Sequence, residues 1–364
     1  MKKHSIPLLA ALLAPWAVAE NSVSFQATQY QEADDRIGVK MAEVAIEKDF
    51  GTDYTLKLDF GYDAISGATP MWVAKPGHAN EWVEGKAHVA DEVRNSQSAS
   101  LVIRDETRNE YTLGIARSVE PDFSSYELSG QAQLWHDELH NRSYTIGLGL
   151  MQNTSVATAY TNNAQDEDSK VINFQVGINQ VLDASSTLEA SLYTGKDSGY
   201  LSNHYLKIVR SDLLNQHTLT SELRPDQRSS GGLALRWVKN WNATFTSNAW
   251  YRFYSDDWGI SGHTAEIKVY ADLNEAWRTH LGLRAYTQTA ADFYRGYRDT
   301  QNTFAATGLG SNDARLGNFN AQTYQLGVQY RASHDWSFNA SASLYKQSNG
   351  FEATTLTTGL TYSY

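Results

Sequence analysis

The sequence predicts an all-β protein, a single transmembrane antiparallel β-barrel of about sixteen strands with short periplasmic turns and long outer loops. Three observations predict it. The chain opens on an export signal, MKKHSIPLLAALLAPWAVAE, and ends on an alternating strand, TTLTTGLTYSY. Between them lie 10 Trp, 21 Tyr and 12 Phe in a chain whose mean hydropathy is only −0.49. A helical membrane protein cannot be so polar, whereas a barrel that shows lipid only every second residue can.

Residues 1–19 carry Lys2 and Lys3, an apolar run from Ile6 to Trp16, and the small-x-small site Ala17-Val18-Ala19. The run is shorter than the roughly 20 residues of a spanning helix, so it reads as a cleaved secretory signal and residues 20–364 as the barrel domain. Period-two segments follow at about 22–30, 36–49, 53–62, 97–104, 109–118, 123–136, 142–152, 169–182, 185–195, 228–238, 242–254, 263–272, 276–288, 321–332, 335–346 and 354–364. Direction alternates from strand to strand. One set of links is therefore uniformly short (50–52, 105–108, 137–141, 183–184, 239–241, 273–275 and 333–334). The other holds every long link, at about 63–96, 153–168, 196–227 and 289–320. That sorting matches short inner turns and long outer loops.

Within NATFTSNAWYRFY, Ala243, Phe245, Ala249, Tyr251 and Phe253 are expected to face lipid, and Thr244, Thr246, Asn248, Trp250, Arg252 and Tyr254 the lumen. The same alternation assigns Lys57, Asp59, Glu127, Glu189, Arg236, Glu266, Lys268, Arg278, Arg284 and Arg331 to the interior. Arg or Lys on the lipid side near the midplane costs about 2–4 kcal/mol, which enforces the pattern. In 36–49 the apolar phase shifts from Ile37, Val39 and Met41 to Val44 and Ile46, and a bulge is expected there. Pro70, Pro76, Pro121 and Pro225 fall in segments read as loops, since proline cannot donate to a sheet ladder. The segment 63–96 is read as a loop able to fold inward as a constriction or plug. The last strand carries a terminal assembly signal: Thr357, Gly359, Tyr362 and Tyr364.

The balance of 30 basic to 41 acidic residues argues against a nucleic-acid partner. The expected partners are outer-membrane lipid, the barrel assembly machinery, and a periplasmic or surface protein. No cofactor is expected. Acid clusters at Glu32, Asp34 and Asp35 and at Asp166, Glu167 and Asp168 read as solvated loop tips. Cysteine is absent, as suits an oxidising compartment.

The stretch WYRFYSDDWGISGH (250–263) has the residue types of an active site, yet its position makes Ser255–Gly262 an outer hairpin link. Asp and Gly tolerate such turns, and Trp258 is expected in the interfacial aromatic belt. Together YQEADDRI (30–37), YDAISGATP (62–70), GYLSNHY (199–205) and YRFYSDDWGI (251–260) resemble the bacterial domain-of-unknown-function 3570 family, departing at His204, where the family more often carries proline. The resemblance implies an outer-membrane barrel and supplies no catalytic residues. All four motifs fall at outer strand ends or loops. Glu32, Asp63, Tyr205, Arg252, Asp256, Asp257, Trp258 and His263 are thus candidates for one outer mouth, with carboxylates suited to a hard cation such as calcium.

A channel or porin for small solutes is the leading functional expectation, because sixteen strands enclose more space than side chains fill. A non-enzymatic barrel that holds a protein, cofactor carrier or surface ligand in its loops or lumen is the alternative. Catalysis is not expected: no nucleophile–base pair has a recognisable local motif.

Overall fold

A computed structural model describes residues 21–34, 36–75, 81–158, 163–214, 216–299 and 302–364. The signal of residues 1–19, Asp35 and Pro76 lie outside the described residues. The strands are β1 (Ser22–Glu32), β2 (Gly38–Phe50), β3 (Tyr54–Ala74), β4 (Trp82–Arg104), β5 (Glu110–Glu120), β6 (Phe123–Trp135), β7 (Arg142–Ser155), β8 (Glu167–Asp183), β9 (Ser186–Gly199), β10 (Lys207–Ser211), β11 (His217–Ser221), β12 (Gln227–Asn240), β13 (Phe245–Asp256), β14 (Ser261–Asp272), β15 (Trp277–Gln288), β16 (Phe304–Ala305), β17 (Phe319–Arg331), β18 (Trp336–Gln347) and β19 (Glu352–Ser363).

Sixteen of them close a barrel in the order β1-β19-β18-β17-β15-β14-β13-β12-β9-β8-β7-β6-β5-β4-β3-β2. Every neighbouring pair is antiparallel. The ring is sealed where β1 pairs β19, from Ser22↔Ser363 to Glu32↔Ala353. Closure leaves no sheet edge for lipid or a second chain to meet, which is what makes β-structure admissible in a bilayer. Along each strand the exposed apolar residues mark one face. Leu113, Ile115, Leu128, Leu192, Leu281 and Leu326 are all more than half exposed, a band that only a lipid environment would favour. At the short-turn end Phe50, Tyr54, Trp241, Trp277, Trp336 and Tyr364 form an exposed aromatic girdle, with Trp277 against Tyr330 (4.5 Å) and Trp336 against Tyr362 (4.8 Å).

Three expectations need correcting. The segment 36–49 has no bulge: β2 pairs β1 and β3 in unbroken register. Val44 lies opposite the exposed Phe25 and Phe60, so it faces out, and alternation then turns Val39 and Met41 inward beside Tyr30 and Thr28. The segment 63–96 is strand for most of its length, because β3 and β4 continue well past their neighbours as a paired hairpin with one register shift at Ile65/Gly67. Pro70 is therefore inside a strand. Beyond Ser66, β3 has lost its partner β2, so Pro70 sits on an edge strand, the place in a sheet where proline is tolerated.

The third correction concerns the long links. The link from β9 to β12 carries β10 and β11, the link from β15 to β17 carries β16, and the three form a separate sheet ordered β11-β10-β16. Most of the buried apolar side chains among the described residues belong to these links and turns: Ile208 is fully buried and Leu206, Val209 and Phe304 nearly so in the small sheet, and Trp258, Ile260, Ala291 and Leu316 form a buried cluster of their own.

Candidate functional site

The extensions at the long-loop end rise from separate parts of the ring. The β3–β4 hairpin stands six strand positions from the β9–β12 link, which stands four from the β15–β17 link. Elements rooted so far apart touch only by reaching across the opening, so together they roof the long-loop end. Trp72 of β3 donates its indole N–H to Asn312 Oδ1 (2.8 Å) and packs on Tyr297 (5.0 Å). Arg210 of β10 donates to the Ala305 (2.9 Å) and Gly308 (2.7 Å) carbonyls. Arg224 bridges Glu222 (2.6 Å) and Asp313 (2.8 Å). Burial works against the Arg224 charge, yet the two acids outweigh it and hold its pKa above the ordinary arginine value.

Below the roof the lumen is charged and its two signs are segregated. Cross-strand partners share a face, which places Glu43 and Glu47 of β2, Lys57, Asp59 and Asp63 of β3, and Arg94 and Arg104 of β4 inside. This wall is net negative, and Glu32 and Asp49 make it more so. On the far side of the ring Arg228, Arg236, Arg252, Lys268, Arg278 and Arg284 of β12 to β15 outnumber Asp256, Glu266 and Asp272. Many of these charges are paired along the wall: Lys57 with Glu47 (3.1 Å), Arg284 with Glu266 (2.7 Å) and Arg278 with Asp272 (2.5 Å). Arg252 donates to the Tyr193 hydroxyl (2.8 Å), Arg236 reaches Glu189 at 4.0 Å, and Arg284 lies over the Trp250 ring (5.7 Å). Glu127 and Arg331 also lie on the face opposite the exposed apolar residues.

The residues expected at one mouth fall instead in separate clusters. Glu32 pairs with Arg36 (3.2 Å) and accepts from Tyr30 (3.2 Å). Asp63 is gripped by Arg94, whose Nε donates at 2.5 Å. Asp256, although placed at a hairpin link, has no exposed side-chain surface. It accepts from Arg228 (2.5 Å), Tyr254 (2.8 Å) and the Trp258 (3.0 Å) and Ile260 (2.9 Å) amides. Trp258 is not in a lipid belt. It is buried against Phe293 (5.2 Å) and donates to the Gln227 carbonyl (2.8 Å). Only Asp257 keeps the exposure expected of a tip, capping the Ser229 amide (3.0 Å). His263 points out of the barrel, bonded to Tyr251 (2.8 Å) on the same face as Ile267.

Tyr205 belongs to a group that sequence reading did not assemble. Its hydroxyl, with one proton to donate, lies 2.6 Å from Asp122 Oδ2 and 2.8 Å from Glu92 Oε1, and His204 Nε2 lies 2.8 Å from the same Asp122 oxygen. Burial first, then Asp122 and Glu92, push the Tyr205 hydroxyl far above its ordinary range, so it stays a donor. Among the described residues Glu92, Glu120 and Asp122 are the one set of three acids close enough to share an ion. Glu120-Pro121-Asp122, two acids around a turn proline, was a local signal. Glu92 gave none, because its strand was read as loop.

A family model described as "Protein of unknown function (DUF3570)" matches residues 5–361. The chain belongs to that family. No curated protein matches it. Among solved structures it is similar to a bacterial polysaccharide outer membrane secretin (TM-score 0.52, 9% identity, covering 95% of this chain and 98% of that one). It is also similar to CdiB from Acinetobacter baumannii (TM-score 0.55, 9% identity, 95% and 61%). At such identities the likeness is one of fold: the chain has the fold of outer-membrane β-barrels.

Proposed function

We propose that this family member is an outer-membrane channel for small polar solutes, exported by the signal in residues 1–19, with its outer mouth narrowed by the roof. The observation that carries the proposal is the lumen, where an acidic wall on β2 and β3 stands across from a basic wall on β12 to β15. Charge of opposite sign on facing walls sets a field across the permeation path, which orients dipolar solutes and filters ions. A barrel of sixteen strands leaves the space for it.

Planar-bilayer conductance tests this. The full protein should conduct weakly, and deletion of residues 203–221, which removes β10 and β11, should raise conductance while the barrel keeps its heat-modifiable migration in detergent gels. In the deletion form, Arg236→Gln with Arg284→Gln should shift ion preference toward cations. Sealed bilayers from both the full protein and the deletion form would overturn the channel reading. They would favour the second one, a barrel that holds a partner or ligand. The roof's own buried core supports that alternative, since a surface spanning the whole mouth is also a platform for binding.

A further inference from the structure

Arg252 stands apart on the basic wall. Arg228, Arg236, Lys268, Arg278 and Arg284 each have an acid within 4.0 Å, whereas among the described residues Arg252 has none. Glu266, the next inward residue of β14 after Arg252's cross-strand partner Thr264, is taken by Arg284 and Lys268. The partners of Arg252 are aromatic instead. Its guanidinium lies over the Tyr193 (5.1 Å) and Tyr254 (5.6 Å) rings, and its Nε donates to the Tyr193 hydroxyl (2.8 Å). Nε is thereby engaged, while Nη1 and Nη2 donate to no group among the described residues.

Neighbouring strands build this pose. Tyr193 belongs to β9 and reaches β13 by crossing β12 at Gly232, where a Cβ would meet the Tyr193 hydroxyl at 2.5 Å. That hydroxyl donates to the Phe253 carbonyl (2.8 Å) while it accepts from Arg252, so both of its roles are filled. The inward residues directly beside Arg252 are small, Ala234 on β12 and Thr264 on β14, and leave the end of the half-buried guanidinium open to the lumen. Tyr254, two residues on, packs against the buried cluster of Trp258, Ile260, Ala291 and Leu316. Arg252 therefore lies directly beneath the roof.

We infer that Arg252 binds the carboxylate of a small solute in the lumen. The N–H groups of Nη1 and Nη2 form a planar fork that matches the two oxygens of a carboxylate. One positive charge suits a monoanion, whereas a phosphate dianion would call for more cations than this part of the wall leaves unpaired. Stacking on two rings fixes the plane of the fork in advance, so less freedom is lost when a solute binds. Tyr193 is a positioning residue, which holds the fork through Nε. The inference rests on the channel reading for its role, a solute met just below the roof, and deepens it by naming the solute class. Binding itself is measurable without conduction.

Ligand-observed saturation-transfer NMR on the folded full protein in deuterated detergent tests the inference, with propionate as the probe and propionamide as its uncharged isostere. Propionate should show saturable transfer, and propionamide much weaker transfer at equal concentration. A hydrogen bond to a charged group is worth about tenfold or more in affinity, so Arg252→Gln should weaken propionate binding at least about tenfold. Arg252→Lys, which keeps the charge and loses the fork, should fall between. Tyr193→Phe removes the acceptor that holds Nε and should weaken propionate binding with the propionamide signal unchanged. Heat-modifiable migration confirms that each variant is folded. If Arg252→Gln does not assemble, Tyr193→Phe and the contrast between the two probes still decide. No saturable propionate signal, equal transfer to both probes, or unchanged propionate affinity in folded Arg252→Gln would overturn the site. Saturable propionate binding by a barrel that seals bilayers would support the site and overturn the channel, and conductance without propionate binding would do the reverse.

Discussion

Asp256 and Asp257 are adjacent in sequence and opposite in surroundings. Asp256 is enclosed by Arg228, Tyr254 and two backbone amides, whereas Asp257 lies at the surface. Removing one partner of a buried ion pair strands the other, at a cost of about 3–5 kcal/mol. Asp256→Ala should therefore lower unfolding stability in detergent by that order, and Asp257→Ala by no more than about 0.5 kcal/mol. Equal, small effects from both in urea titrations would show that the turn is solvated throughout. The residue types of the stretch were legible in sequence, and so was its place at a hairpin tip. The burial of Asp256 and Trp258 was not, because Arg228 and Phe293 lie on other strands and loops. Gly259 shows the same dependence. Its φ of +89° suits a turn glycine, but a Cβ there would also meet Asp292 Oδ1 at 2.5 Å, a contact no local pattern announces.

Alternation is a property of single strands and can be read one strand at a time. The places of Lys57, Glu127, Arg236 and Arg284 on the interior face follow from it without knowledge of any neighbour. It misleads where the lumen itself takes apolar residues. Val39 and Met41 line the interior, so a hydrophobicity count on β2 finds a phase shift where the backbone has none. Length also resists reading once a hairpin leaves the wall. Past Ser66 neither face of β3 has to follow the lipid pattern, and Pro70 adds a loop signal of its own. The wall can be probed at Leu128 and Glu127, consecutive residues of β6 with Leu128 56% exposed. Leu128→Arg should cost about 2–4 kcal/mol in a lipid or detergent host, and Glu127→Arg far less. A larger loss from Glu127→Arg would mean that the faces are reversed.

For the whole molecule, what the sequence conveyed was local: sixteen strands, alternating direction, and long links gathered at one end. The roof depends on contacts between distant segments, such as Trp72 with Asn312, 240 residues apart, and pairing of β10 with β16 across the mouth. The segregation of charge in the lumen depends in turn on ring order, which places β2 and β3 across from β12 to β15. Together they put a charged lumen beneath a roof built from three distant links. The native chain has no cysteine, so a designed bridge is unambiguous. Ser211 of β10 and Ala305 of β16 are paired Cα partners from two different links, and neighbouring strands bring Cα atoms within the range a disulfide spans. The decisive measurement is bilayer conductance of Ser211→Cys/Ala305→Cys with its bridging state determined by thiol labelling. The folded barrel should form the disulfide, and the bridged form should conduct no more than the native protein, well below the deletion of residues 203–221. Free thiols in the folded barrel, or a bridged form that conducts as freely as that deletion, would contradict the roofed lumen.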